Sequence, residues 1–191
     1  MGAFKPSEFH AGNRRFRMEL AETNFESVLG IQLITFIPPR WALGLDSDDP
    51  LARPVRLGTV KLGFAPRTIC IEAVQGEKGA IHPLKSLENA THSPWPNLLI
   101  KKIEAMGRRM GYREVRFRDV ETMEYFRDIN VIDKDVARFR RRHPEVKTRD
   151  PTAVWEATRK EMRARMKTLY TKIYSAMGYS NREGDYWVKK L

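Results

Sequence analysis

Apolar and polar residues alternate through the first third of the chain, and three- and four-residue spacing takes over in the remainder. The two periods predict strands first and helices later. In Arg15–Leu20, residues Phe16, Met18 and Leu20 share one face, and Gly30–Ile37 is a β-rich run stopped by Pro38-Pro39. Both are expected strands, and Phe25–Leu29 allows a short helix. Asp46–Pro54, rich in Asp and Pro, reads as a loop. Val55–Phe64 and Thr68–Val74, joined by Ala65-Pro66-Arg67, read as adjacent antiparallel strands.

The pattern then changes. Pro94-Trp95-Pro96 introduces a helix over Asn97–Met110, with Leu99, Ile103, Met106 and Met110 on one side and Gly111 at its end; Tyr112–Arg118 alternates as a strand. This is a strand, loop, helix, strand unit, whose crossover is right-handed if the two strands are parallel. Met123–Asn130 reads as helical, Asp133 as the N-cap of a helix over Val136–Arg142, and Pro144–Pro151 as a loop. A long helix follows, in which Trp155, Met162, Met166, Leu169, Ile173 and Ala176 keep helical spacing. Gly178 suits the left-handed residue that ends it, and Asp185–Leu191 reads as the closing strand.

A chain of 191 residues can bury one substantial core, and neither composition nor a linker argues for a second domain. One domain over 1–191 is the expectation, with a helical insertion at about 120–150. No apolar run approaches the ~20 residues that span a bilayer, and Met1–Asn13 lacks the apolar core of a signal peptide. Cys70 is the single cysteine, which excludes an internal disulfide and a cysteine zinc site. A cytoplasmic or other reducing intracellular compartment is expected.

The formal charge of +11 suggests a polyanionic partner, whether nucleic acid, an acidic surface or a phosphorylated ligand. The excess is concentrated. Between Arg138 and Lys167 stand eleven Lys or Arg against four carboxylates, so a basic ridge is expected, with Arg138, Arg140, Arg141, Arg142, Arg159 and Arg163 its candidate nucleic-acid contacts. A solvated face of two helices is the other account of the same residues.

Glu72 is the ionisable residue of an otherwise apolar strand. Either it faces solvent or pairs with an arginine, or burial raises its proton affinity and makes it a general base. The strand runs into Gln75-Gly76-Glu77-Lys78-Gly79-Ala80, where glycine-borne amides and Lys78 could cradle a pyrophosphate; an ordinary turn is the alternative. His10, His82, His92 and His143 are scattered without metal-ligand spacing, and no Gly-x-Ser-x-Gly elbow occurs. Neither a metal site nor a serine hydrolase is expected.

The tail Leu169-Tyr170-Thr171-Lys172-Ile173-Tyr174-Ser175-Ala176-Met177-Gly178-Tyr179, followed by Asp185-Tyr186-Trp187-Val188-Lys189-Lys190-Leu191, resembles the end of the Gcn5-related N-acetyltransferase (GNAT) superfamily. The preceding strand, loop, helix, strand order is similar to that family too. Its usual loop, Gln/Arg-x-x-Gly-x-Gly/Ala, leads straight into the helix, whereas here Gly79-Ala80 is shifted and Ile81–Trp95 intervenes.

The resemblance implies an α/β fold with a mixed, mostly antiparallel central sheet flanked by helices, and a basic helical insertion before the last long helix. It further implies transfer of an acyl group from acetyl-coenzyme A, or a longer acyl-coenzyme A, to an amine, with no metal. Backbone groups at Val74, Gln75 and Gly76 would hold the pantetheine arm, and Lys78, Gly79 and Ala80 the phosphates. Glu72 would deprotonate the amine, and Tyr174 would protonate the leaving thiolate. The alternative is a non-catalytic module on the same fold that binds RNA, DNA or a nucleoprotein assembly through the basic ridge.

Overall fold

The computed structural model describes residues 6–11, 14–22, 29–37, 53–77, 80–146 and 150–191. Among these residues eight strands form one mixed, mostly antiparallel sheet: β1 (Ser7–Ala11), β2 (Arg14–Glu22), β3 (Leu29–Ile37), β4 (Arg53–Ala65), β5 (Thr68–Gly76), β6 (Glu114–Arg118), β7 (Asn181–Glu183) and β8 (Tyr186–Lys190). Their order is β1-β2-β3-β4-β5-β6-β8-β7, and β5 and β6 are the parallel pair. Between them run α1 (Ile81–Thr91) and α2 (Trp95–Arg109); after β6 come α3 (Glu124–Arg127), α4 (Asp133–Arg142) and α5 (Pro151–Met177).

The expected strands are present, with β6 beginning at Glu114 rather than Tyr112. β1 and β7 add edges that alternation did not mark, and α1 occupies the segment expected only as an insertion. The helix expected over Met123–Asn130 is shorter. A 3-10 turn at Val120–Thr122, opened by the Asp119 carboxylate accepting from Glu121 N–H, precedes the four-residue α3. Asp133 is the first residue of α4 rather than its cap; the Asp135 carboxylate instead accepts from Ile132 N–H, an arrangement the helix dipole favours. The helix considered at Phe25–Leu29 and the loop at Asp46–Pro54 fall chiefly outside the described residues.

α5 starts with Asp150 accepting from Thr152 N–H and Pro151 at its first position. It ends at Gly178, left-handed at φ 75°, where Tyr179 N–H returns to Tyr174 O. Its 27 residues extend ~40 Å. α2 and α5 cover one face of the sheet: Ile69 and Leu191 reach Gly107 of α2, and Phe117 meets the tyrosines of α5. Phe117 is fully buried and receives Tyr170, Tyr174 and Tyr179 edge-on, at centroid distances of 5.8, 5.0 and 5.8 Å. Edge-on rings align the positive ring edge with the negative ring face.

The other face of β5, β6 and β8 is polar. Glu114 Oε2 accepts from Lys190, and its Oε1 from Arg116 Nε at 2.7 Å and Thr68 Oγ1 at 3.2 Å. Lys190 and Arg116 hold the Glu114 carboxyl down at about 2. Cys70 lies on this face, half-buried, and burial followed by the Glu72 carboxylate pushes its thiol up.

Candidate functional site

β5 and β6 part company part-way along. Their pairing runs from Thr68↔Glu114 to Ile71↔Phe117, after which β5 continues to Gly76 while β6 stops at Arg118. A bulge accompanies the divergence: Lys61 pairs with Ala73 and Leu62 with Ile71, leaving Glu72 as the extra residue on β5. Bulges bend a strand and turn its side chains.

Two diverging strands expose backbone groups that need partners. Tyr170 and Tyr174, one turn apart on α5, supply them. The Tyr170 hydroxyl accepts from Val74 N–H and donates to Val74 O, each at 3.1 Å. The Tyr174 hydroxyl accepts from Val120 N–H at 3.0 Å and donates to Arg118 O at 2.9 Å. One phenol therefore finishes the free edge of β5 and the other the free end of β6. Burial pushes the Tyr174 phenol far above its usual range, the Val120 N–H partly opposing this and the Asp119 charge adding to it. Trp187 stacks on the same ring at 5.4 Å and donates its indole N–H to Asp119 at 3.1 Å.

Glu72 has an arginine partner, the first of the two accounts its sequence position allowed. Its Oε2 accepts from Arg118 Nε at 2.5 Å and its Oε1 from the Tyr186 hydroxyl at 3.0 Å, while Arg118 Nη2 donates to that hydroxyl at 2.9 Å. The triad is closed and a quarter exposed at Glu72. Glu72 shares the polar face with Arg118, whereas Tyr174 lies against Phe117 on the helical face. The structure does not bring the two together.

Gln75 and Gly76, expected in a loop, are the exposed last residues of β5 and pair with Thr59 and Gly58; beyond them Glu77 N–H donates to Leu57 O at 2.8 Å, and the Glu77 carboxylate pairs with Arg56 at 2.6 Å. Lys78 and Gly79 lie outside the described residues. Ala80 is buried and its carbonyl accepts from Leu84 N–H at the start of α1. Trp95 covers Gly76 and its cross-strand partner Gly58 so closely that a Cβ at Gly58 would stand 2.6 Å from the indole. The sequence assigns no role to Tyr170, for which the Tyr-x-x-x-Tyr spacing is the available signal, and marks Trp95 only as part of the Pro94-Trp95-Pro96 helix start, with nothing to place it over Gly58 and Gly76.

The basic ridge divides. Arg142 pairs with Glu161 at 2.8 Å, Arg159 with Glu156 at 3.1 Å while lying over Trp155, and Arg163 donates to the carbonyls of Phe126 and Arg127. These three arginines fasten α4, α5 and α3 to each other or to themselves. Arg138, Arg140 and Arg141 are exposed on α4 and have no carboxylate partner among the described residues. His143 sits between Glu145 and Glu161, at 3.0 and 3.1 Å from its two ring nitrogens.

Among the described residues no cluster of His, Cys, Asp or Glu is arranged to hold a metal ion, and no helix is long and apolar enough to cross a membrane. No protein-family model matches the chain, and neither curated proteins nor solved structures give a significant match.

Proposed function

We propose that this chain is a non-catalytic module of GNAT-like architecture that binds nucleic acid through α4. The carrying observation is that Arg138, Arg140 and Arg141 stand exposed without carboxylate partners. Arginines committed to internal ion pairs gain little from a phosphate, whereas unpaired ones release counterions from the nucleic acid they neutralise. The alternative duties of the fold are hard to perform with the hydroxyls where they are. A general acid needs a free proton directed at its substrate, and the Tyr174 proton is already donated to Arg118 O. A pantetheine arm on β5 would need the Val74 amide and carbonyl that Tyr170 occupies.

Charge reversal of the ridge tests this reading. Replacing Arg138, Arg140 and Arg141 together by Glu is expected to abolish retention on immobilised duplex DNA at moderate salt. In titrations the slope of log K against log salt should fall by ~2–3 for duplex DNA, one increment per phosphate contact removed. Duplex binding that survives the triple reversal, or no wild-type binding to duplex at all, counts against the module.

One observation favours an acyl-coenzyme A dependent N-acyltransferase instead: a parallel strand pair that diverges at a bulge carrying a glutamate. In that reading acetyl-coenzyme A or a longer acyl thioester would occupy the divergence after Tyr170 left Val74, and Glu72, released from Arg118, would take the amine proton.

A further inference from the structure

At the end of the sheet away from the Tyr170–Val74 contact, the β4–β5 hairpin meets the α2–β6 connection. Ala65 pairs with Thr68, so Pro66-Arg67 is a two-residue turn, and Arg67 O accepts from Arg113 N–H at 2.8 Å. The turn places Arg67 at φ 58°. Position two of a turn with proline first and a left-handed second residue is glycine's position. An arginine held there is strained, and strain of this kind concentrates where a side chain is needed.

The surroundings suggest the need. Phe64 is 46% exposed and Met110 39% exposed, unusually open for their types, and the Phe64 ring leans on half-buried Tyr112 at 6.2 Å. Arg67 in the turn, Arg113 bonded to it through the backbone and Arg109 at the end of α2 are exposed, with no carboxylate partner among the described residues. The nearby acids are committed elsewhere, Glu104 to Lys189 and Glu114 to Arg116 and Lys190. An open aromatic ring beside a turn and a helix end that carry three arginines without carboxylate partners matches a base and its flanking phosphates. Two half-exposed apolar side chains offer too little area to hold a membrane surface, while stacking requires one ring face.

We infer that this corner is a second binding surface, specific for single-stranded nucleic acid: a base stacks on Phe64 and adjacent phosphates pair with Arg67, Arg109 and Arg113. It deepens the reading of the chain as a nucleic-acid module, and its residues are separate from those of α4. Duplex DNA, whose bases are already stacked, gains nothing from Phe64.

Fluorescence anisotropy decides the matter, with a labelled oligothymidylate, its duplex with oligoadenylate, and phosphatidylserine vesicles as probes. Phe64→Ala should weaken single-strand binding ~10-fold and leave duplex binding unchanged. Arg109→Glu with Arg113→Glu should lower the single-strand salt slope by ~1.4, two contacts' worth. Arg67→Gly should weaken the same binding yet raise Tm by ~2–4 °C, because relief of the turn stabilises the fold. Single-strand affinities equal to wild type in Phe64→Ala and in the double reversal overturn the corner, as does binding to vesicles alone or no wild-type binding to the oligonucleotide. Loss of all binding in the α4 reversal with these corner variants unaffected would leave the ridge and remove the corner; the converse would leave the corner and remove the ridge.

Discussion

Replacing Tyr170 and Tyr174 together by phenylalanine is expected to cost this protein ~3–6 kcal/mol of stability, since a buried polar group left without a partner costs ~1–3 kcal/mol and water can offset part of that at the partly exposed Val74 and Arg118. Four backbone groups lose theirs: the amide and carbonyl of Val74, the Arg118 carbonyl and the Val120 amide. The rings themselves remain, so Phe117 keeps its edge-on neighbours and the loss is confined to hydrogen bonds. Tyr174→Phe alone should account for the larger part, because Val120 and Tyr174 are both buried whereas Val74 is partly exposed. Chemical denaturation of the two single variants and the double one measures this directly. A phenol poised as a general acid would behave otherwise, with stability nearly unchanged and only turnover falling.

The second large effect is at the centre of the tyrosine cluster. Phe117→Ala should destabilise by ~3–5 kcal/mol and lower Tm by roughly 10 °C, the cost of a buried aromatic plus the cavity it leaves. Phe117 is fully buried, and three tyrosines from α5 and the residues just after it converge on its ring. Without it the α5 hydroxyls lose the surface that sets their height above the strands. The double phenylalanine variant and Phe117→Ala should therefore combine less than additively, as contacting sites do. Strictly additive losses in thermal or urea unfolding would mean that ring packing and strand-edge hydrogen bonding are independent.

Much of the architecture was legible because burial writes itself into spacing. Phe16 and Met18 alternate because β2 has one covered face, although Leu20 at its far end is 38% exposed; on α5 Ile173 is buried as its spacing predicts, whereas Leu169 and Ala176 of the same expected stripe are exposed, because the helix turns Tyr170, Tyr174 and Met177 to the sheet instead. β1 left no such mark: Ser7–Ala11 has Phe9 as its one large apolar residue. α1 escaped because Ala80 supplies no side-chain cap and Pro83 sits in the first turn, where proline is tolerated but easily read as a breaker. The helix expected over Met123–Asn130 failed on the opposite ground, since apolar Ile129 and Val131 are buried without helical backbone.

The site was legible in its ingredients and not in its pairings. Glu72 was noticed as the odd polar residue of its strand, but its partner depends on the parallel register that sets Ile71 beside Phe117, and no local pattern encodes register between strands 46 residues apart. Likewise the sequence offered two tyrosines at helical spacing, and only the divergence of β5 from β6 determines what their hydroxyls must satisfy. The ridge shows the same limit: eleven basic residues were countable, yet which of them are spent on Glu156, Glu161 and the α3 carbonyls is a matter of tertiary contact.

A thermal melt with and without ligand tests the account most directly, because a ligand that binds the native state must stabilise it by mass action, by ~2.7 kcal/mol at one hundred times Kd, and so raise Tm. An oligonucleotide at low salt should raise the melting temperature and lose that effect as salt is added, while acetyl-coenzyme A leaves it unmoved. A rise with acetyl-coenzyme A, and none with the oligonucleotide, would contradict the nucleic-acid module and mean that the tyrosines yield the diverging strands to a cofactor.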